Sequence, residues 1–133
     1  MPLSDLKSVN DLSTLTPQDI DSIGEHYGKK FVEAGVKTTQ LRNIYSTIVS
    51  IRTKLNNSGK VTAQIERDLI LLKPKLAYAA GRQPNVKSFY ELMKLGIDAT
   101  TSVAGDKKIA ALNNLISINE AIVGYHKFFE KNR

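Results

Sequence analysis

Leu41, Ile44, Ile48, Ile51 and Leu55 recur at spacings of 3, 4, 3 and 4, a pattern that a strand cannot use. At 3.6 residues per turn all five fall on one narrow stripe, whereas a strand would scatter them over both faces. The signature repeats along the chain. Ile65, Leu69, Leu72 and Leu76 mark a helix that Thr62 opens and Gly81 should close. Phe89, Met93 and Ile97 mark another over about residues 86–102. Ile109, Leu112, Ile116 and Val123 mark a last one behind Gly105 and Asp106, with Lys127, Lys131 and Arg133 suited to its negative end.

Punctuation fits the periodicity. Thr16-Pro17 with Asp19 and Asp21 reads as an N-cap, a proline at the first helical position and acids in the first turn. That helix should span about 17–34 and stop at Gly35. Thr38 or Thr39 can cap the isoleucine-striped helix, and NNSG (56–59) ends it. RQPN (82–85) is a turn that Pro84 keeps from continuing as helix. The apolar runs ILL and AIVGY lie inside longer helical patterns, so no strand is expected. Connections of about 3–6 residues favour antiparallel neighbours. The expected fold is all-α, a single-domain bundle of about five helices over residues 1–133, with residues 1–15 a loosely ordered N-terminal segment.

Composition narrows the function classes. An apolar fraction of 41% with 24% charged residues suits a globular chain and not a disordered one. The absence of cysteine excludes a disulfide scaffold, a thiolate zinc site and a cysteine nucleophile. Residues 1–16 lack the apolar stretch of a signal peptide, and no uncharged apolar run approaches about 18 residues, so no membrane contact and a cytoplasmic location are expected. His26 and His126 sit on different helices without a partner at i+4, and each is more simply read as a surface or core histidine than as a ligand. Glu66 and Asp68 point to different helix faces, which argues against a joint metal site. No phosphate-cradling GxxxxGK[ST], GxGxxG or GxSxG motif occurs. No enzyme activity, catalytic residue, metal or cofactor is expected.

The charge is uneven, and that carries the positive signal. The formal net charge is +6, yet Lys37 to Lys94 holds eleven Lys or Arg against three acids, while the remaining 75 residues sum to −2. A mid-chain basic zone suits an anionic partner, although a solvated basic surface would read the same way. Helix geometry sorts it. In LLKPKLAYAAGR (71–82), Leu71, Lys75, Tyr78 and Arg82 form a stripe beside the buried one, with the Tyr78 ring between two cations. Cations neutralise phosphates, and tyrosine can stack on a base or hydrogen-bond a sugar or phosphate. Arg42, Ser46, Ser50 and Thr53 form a polar stripe opposite the isoleucines, with Arg52 and Lys54 near that helix's end. Bland readings stand beside these: dipole complementarity for Arg52 and Lys54, an exposed or ion-paired Arg42, a half-packed Tyr78. Pro74 either wraps its helix around the core or aims Lys73 and Lys75 outward.

Taken together, AGVKTTQLRNIYSTI (34–48), LLKPKLAYAAGR (71–82) and NEAIVGYHKFFEK (119–131) resemble the small subunit of the type III-A CRISPR–Cas effector, the helical member of the Csm complex. The three blocks cover roughly 40 of 133 residues, in the family's order. The resemblance implies a non-catalytic antiviral-defence protein present in several copies beside the backbone subunits, contacting guide RNA paired with target RNA. By position the matches are Thr39, Leu41, Arg42 and Tyr45, then Lys73, Lys75, Tyr78, Gly81 and Arg82, then Glu120, Tyr125, His126 and Lys127. Arg42, Lys75 and Arg82 are the expected phosphate contacts, with Arg52, Lys54 and Lys73 secondary and Tyr78 between. Leu41, Tyr45, Glu120 and Tyr125 are expected to hold the bundle. Gly124 departs from the small helix former the pattern implies. Two readings outside this family remain: a basic helical DNA-binding protein, and a protein–protein adaptor.

Overall fold

The computed structural model describes residues 2–131, and the Arg133 reading lies outside them. The described residues form five α-helices: α1 (Pro17–Glu33), α2 (Thr38–Ser58), α3 (Ala63–Arg82), α4 (Lys87–Thr101) and α5 (Lys107–Lys131). No strand occurs among the described residues. The fold is the expected all-α bundle.

The ends of the helices follow local chemistry. Thr16 Oγ1 accepts from the Asp19 N–H, and the Asp19 carboxylate accepts from the Thr16 N–H at 3.0 Å, a reciprocal capping box with Pro17 behind it. At the other end Gly35 adopts φ +82°, so the Val36 N–H reaches the Phe31 carbonyl and the Gly35 N–H the Val32 carbonyl. This is a Schellman closure, and both flanking side chains, Phe31 and Val36, enter the core. Gly59 closes α2 in the same left-handed region, and Thr62 caps α3 through the Ile65 N–H.

Two boundary readings are corrected. Lys37, and neither Thr38 nor Thr39, stands at the N-cap of α2, with its N–H held by Gln40 Oε1 at 2.8 Å. The Thr38 hydroxyl donates instead to Glu130 on α5. Gly81 does not stop α3. It has no positive φ, and the helix runs on to Arg82 before Gln83 turns extended and Pro84 bars continuation.

α5 lies at the centre, packed by α1, α2, α4 and the 3₁₀ turn Leu12–Thr14; α3 sits outside, chiefly on α2 and α4. This placement explains the one apolar stripe that sequence spacing drew poorly. Surrounded on several sides, α5 buries Leu112, Leu115, Ile116, Ile118 and Ile122, while Ile109 and Val123 are only half-buried. The α1–α5 seam is tightest at Gly24 and Gly28, whose missing Cβ atoms would lie 2.4 Å from Ala121 Cβ and 2.6 Å from Tyr125 Cβ.

Within residues 2–15, part of the segment expected to be loosely ordered, three leucines pack into the bundle. Leu6, Leu12 and Leu15 are buried in the common core. Asp19 also holds the Leu3 N–H at 2.9 Å, and Asn114 donates to the Leu12 carbonyl at 2.6 Å. Single leucines spaced without helical period gave no local sign of this. His126 is buried, its Nε2 donating to the Val36 carbonyl at 2.7 Å, and His26 is exposed.

Candidate nucleic-acid interface

α2 and α3 form an antiparallel hairpin tied at both ends. Gln40 Nε2 donates to Gln83 Oε1 at one end, and Lys54 pairs with Asp68 at 2.7 Å at the other. Between the ties runs a groove of about 280 Å3 lined by Thr47, Ser50, Ile51, Lys54, Asp68, Leu71, Leu72 and Lys75. Hydroxyls and cations form its walls and the edge of the core its floor.

The seven residues singled out by sequence do not converge on one point. Arg52 leaves the hairpin for the α5 seam and pairs with Glu120 at 2.9 Å. Lys73 turns to α4 and pairs with Asp98 at 2.6 Å. Lys73 and Lys75, two positions apart across Pro74, therefore serve opposite flanks of α3. Pro74 itself is exposed on the outer face, opposite buried Leu72 and Leu76. There α3 stays continuous, and water can take the hydrogen bond that the Ile70 carbonyl loses.

Arg42, Lys75 and Arg82 differ from the other cations of the set. All three are exposed, and none has an acidic partner among the described residues. Lys75 lines the groove; Tyr78 and Arg82 continue its stripe along α3 with the helical spacing of 3 and 4. The Gln40–Gln83 tie holds the Arg42 end of α2 beside the Arg82 end of α3. Tyr78 is 68% exposed and does not pack in the core; the Arg82 guanidinium sits 5.8 Å from its ring centroid. A cation over an accessible aromatic face is a surface on which a base or sugar can lie while the charge meets phosphate.

The bundle-holding set divides. Leu41 is buried, Tyr45 half-buried, and Tyr125 donates to Asp21 at 2.5 Å across the α1–α5 seam. That bond to a carboxylate raises the Tyr125 phenol above its ordinary value. Glu120 is exposed and acts through Arg52. Thr47 escaped the sequence reading, although its spacing with Ser50 and Lys54 places the three on one face. Sequence marks Asp68 only as a poor metal ligand; the Lys54 hydrogen bond holds its carboxyl below the ordinary carboxylate value. No group of three or more His, Asp or Glu suited to a metal ion occurs among the described residues. None of their helices is long and apolar enough to cross a membrane.

Comparison with known proteins places the chain. The type III-A Csm2 family model matches residues 14–132. A curated protein of Enterococcus italicus, "CRISPR system Cms protein Csm2", is 34% identical over 98 residues, covering 71% of this chain and 69% of that protein. No solved structure matches. With nearly its whole length inside the family model, the chain belongs to the type III-A Csm2 family.

Proposed function

We propose that this chain, a small subunit of a type III-A Csm effector complex, is a non-catalytic RNA-holding protein that grips the backbone of guide RNA paired with target RNA. The observation that carries this is the outer surface of the α2–α3 hairpin. Arg42, Lys75 and Arg82 stand there without internal acids, around an accessible Tyr78. Cations without internal partners can meet phosphates without first breaking an ion pair. Arg52, Lys54 and Lys73 each have a carboxylate to leave and rank behind them. Base pairing between guide and target reads the sequence, while this surface reads charge and backbone shape. Several copies lie beside the backbone subunits, in the cytoplasm, each adding a few phosphate contacts. One isolated copy then binds weakly, about micromolar or poorer, and with a steep salt dependence.

A second reading has one observation of its own. Ile70 and Leu71 are 46% and 44% exposed on the same outer face, which suits a protein neighbour better than a phosphate. Crosslinking the assembled effector to labelled guide and target RNAs, with peptide mapping, separates the two. RNA adducts on peptides carrying Arg42, Lys75, Tyr78 or Arg82 support the first reading. Adducts confined to other subunits, with protein crosslinks on those peptides, support an adaptor face instead.

A further inference from the structure

We infer that the α2–α3 groove is a seat for one backbone phosphate, and that Asp68 occupies it as an internal competitor by holding Lys54. The inference rests on the RNA-holding reading and adds to it the ligand position, two hydroxyl donors and a restraint on affinity.

The donor set is that of a phosphate site. Lys54 and Lys75 enter the groove from facing helices, and Thr47 and Ser50 bring hydroxyls from α2. Those hydroxyls are uncommitted. Thr53, one turn away, donates back to the Val49 carbonyl at 3.1 Å as helical threonines commonly do, whereas Thr47 and Ser50 have no partner among the described residues. Lys75 likewise has no acid. Hydroxyl and ammonium donors around one opening match the acceptor-only oxygens of a phosphodiester. At about 280 Å3 the groove is slightly smaller than ordinary small-molecule pockets, which run from roughly 300 Å3 upward. It suits a phosphate with its sugar and not a large molecule.

Asp68 is the single acid among the lining residues. Its Oδ2 accepts from Lys54 Nζ at 2.7 Å and its Oδ1 from Gln64 Nε2 at 2.8 Å. Asp68 therefore presents to Lys54 what a phosphate would present: an anionic oxygen at hydrogen-bond distance. With the pair closed, Lys75 supplies the groove's net positive charge; with Asp68 removed, both lysines do. An incoming phosphate must share Lys54 with a carboxylate that stays beside it. This sets the grip of each copy low, so that holding RNA depends on several copies acting together.

The test is a charge cycle on the full chain, read by the binding of fluorescent guide–target RNA duplex at several salt concentrations. Affinity should follow D68N, then wild type and D68N/K54Q together, then K54Q. Adjacent steps should differ about two- to fivefold, as one unit charge within a few ångströms in a solvated site dictates. The salt slope of D68N should steepen by about 0.7–0.9 as Lys54 meets phosphate. T47V/S50A should weaken binding without altering the slope. Amide shifts at Thr47 and Ser50 on titration with adenosine monophosphate, but not with adenosine, would identify phosphate as the ligand chemistry. A response to inorganic phosphate with no response at Thr47 and Ser50 to the guide–target duplex would assign the seat to free phosphate and overturn the RNA assignment. D68N indistinguishable from wild type in affinity and slope, or K54Q without effect, overturns the seat. A parallel R42Q/R82Q variant keeps the two claims apart, because it leaves the groove intact. Weaker binding there with an inert Asp68 refutes the seat alone, whereas RNA binding unaffected by both sets refutes the RNA-holding reading.

Discussion

Gly24→Ala adds one methyl group and should unseat the main helix pair. The new Cβ would lie 2.4 Å from Ala121 Cβ, 3.1 Å from the Ala121 carbonyl carbon and 3.3 Å from its Cα. Carbon atoms in contact prefer about 3.5–4.0 Å, so the nearest approach falls short by about 1–1.5 Å. Two of the three obstacles are backbone, and the third is a Cβ that no rotamer can move. α1 must therefore shift bodily away from α5, loosening the seam that buries Ile23, Tyr27, Phe31 and Ile122. Overpacking of this kind costs about 1–3 kcal/mol, and the rigidity of the obstacle argues for the upper part of that range. Alanine returns up to about 1 kcal/mol of helix propensity over glycine. The net expectation is a loss of about 2 kcal/mol, or a melting temperature lower by about 6–10 °C for a chain of this size. Gly124→Ala is the matched control, since no atom lies within 4 Å of its missing Cβ; it should be neutral or raise the melting temperature by a few degrees. Thermal melts followed by circular dichroism suffice. A Gly24→Ala protein as stable as wild type, or a Gly124→Ala protein equally destabilised, would refute the close-approach reasoning.

Three further outcomes follow from the same packing. His126→Leu removes the donor to the Val36 carbonyl and leaves a buried acceptor unmet, at about 1–3 kcal/mol by urea unfolding; an unchanged midpoint would contradict the role given to that bond. Acid should act through Asp11, Asp19 and Asp68, whose carboxyls are all held below the ordinary 3.8 by their hydrogen bonds. Because the unfolded chain takes up these protons first, their stabilisation is complete above about pH 4 and is lost as pH falls through the depressed native values. Asp19→Asn should make that loss shallower between pH 5 and 2, and an identical acid profile would refute it. Gly81→Ala should leave α3 intact or firmer, because the position is helical and open; a shortened α3, seen as lost helicity, would restore Gly81 as its stop.

How much of this was legible depended on whether the information was local. The stripes of α2, α3 and α4 were, since a helix with one core-facing side writes its period into the sequence. So were the caps at Thr16 and Thr62 and the left-handed glycines at 35 and 59, which act within four residues. Gly81 misled because glycine near a helix end is a common stop, and only the extended Gln83 and Pro84 show where the chain turns. α5 blurred because a central helix has no single buried face. The packing of Leu6 and Leu12 and the closeness of Gly24 to Ala121 depend on segments about a hundred residues apart. The candidate surface divided in the same way. Helical spacing grouped Lys75, Tyr78 and Arg82, but the acids that engage Arg52 and Lys73 come from α5 and α4 and could not be inferred from spacing.

In the proposed function, unpaired cations of the α2–α3 hairpin hold RNA by its phosphates. The direct measurement is the affinity of the R42Q/K75Q/R82Q chain for guide–target RNA duplex across a salt series, alone and within the assembled effector. R52Q/K73Q, which removes two charges at ion-paired positions, serves as the control. The triple variant should keep its helicity and melting temperature, bind at least tenfold more weakly at low salt, and lose about 2–3 units of salt slope. R52Q/K73Q should change little. Unaltered affinity and slope in the triple variant, in both settings, would contradict that function.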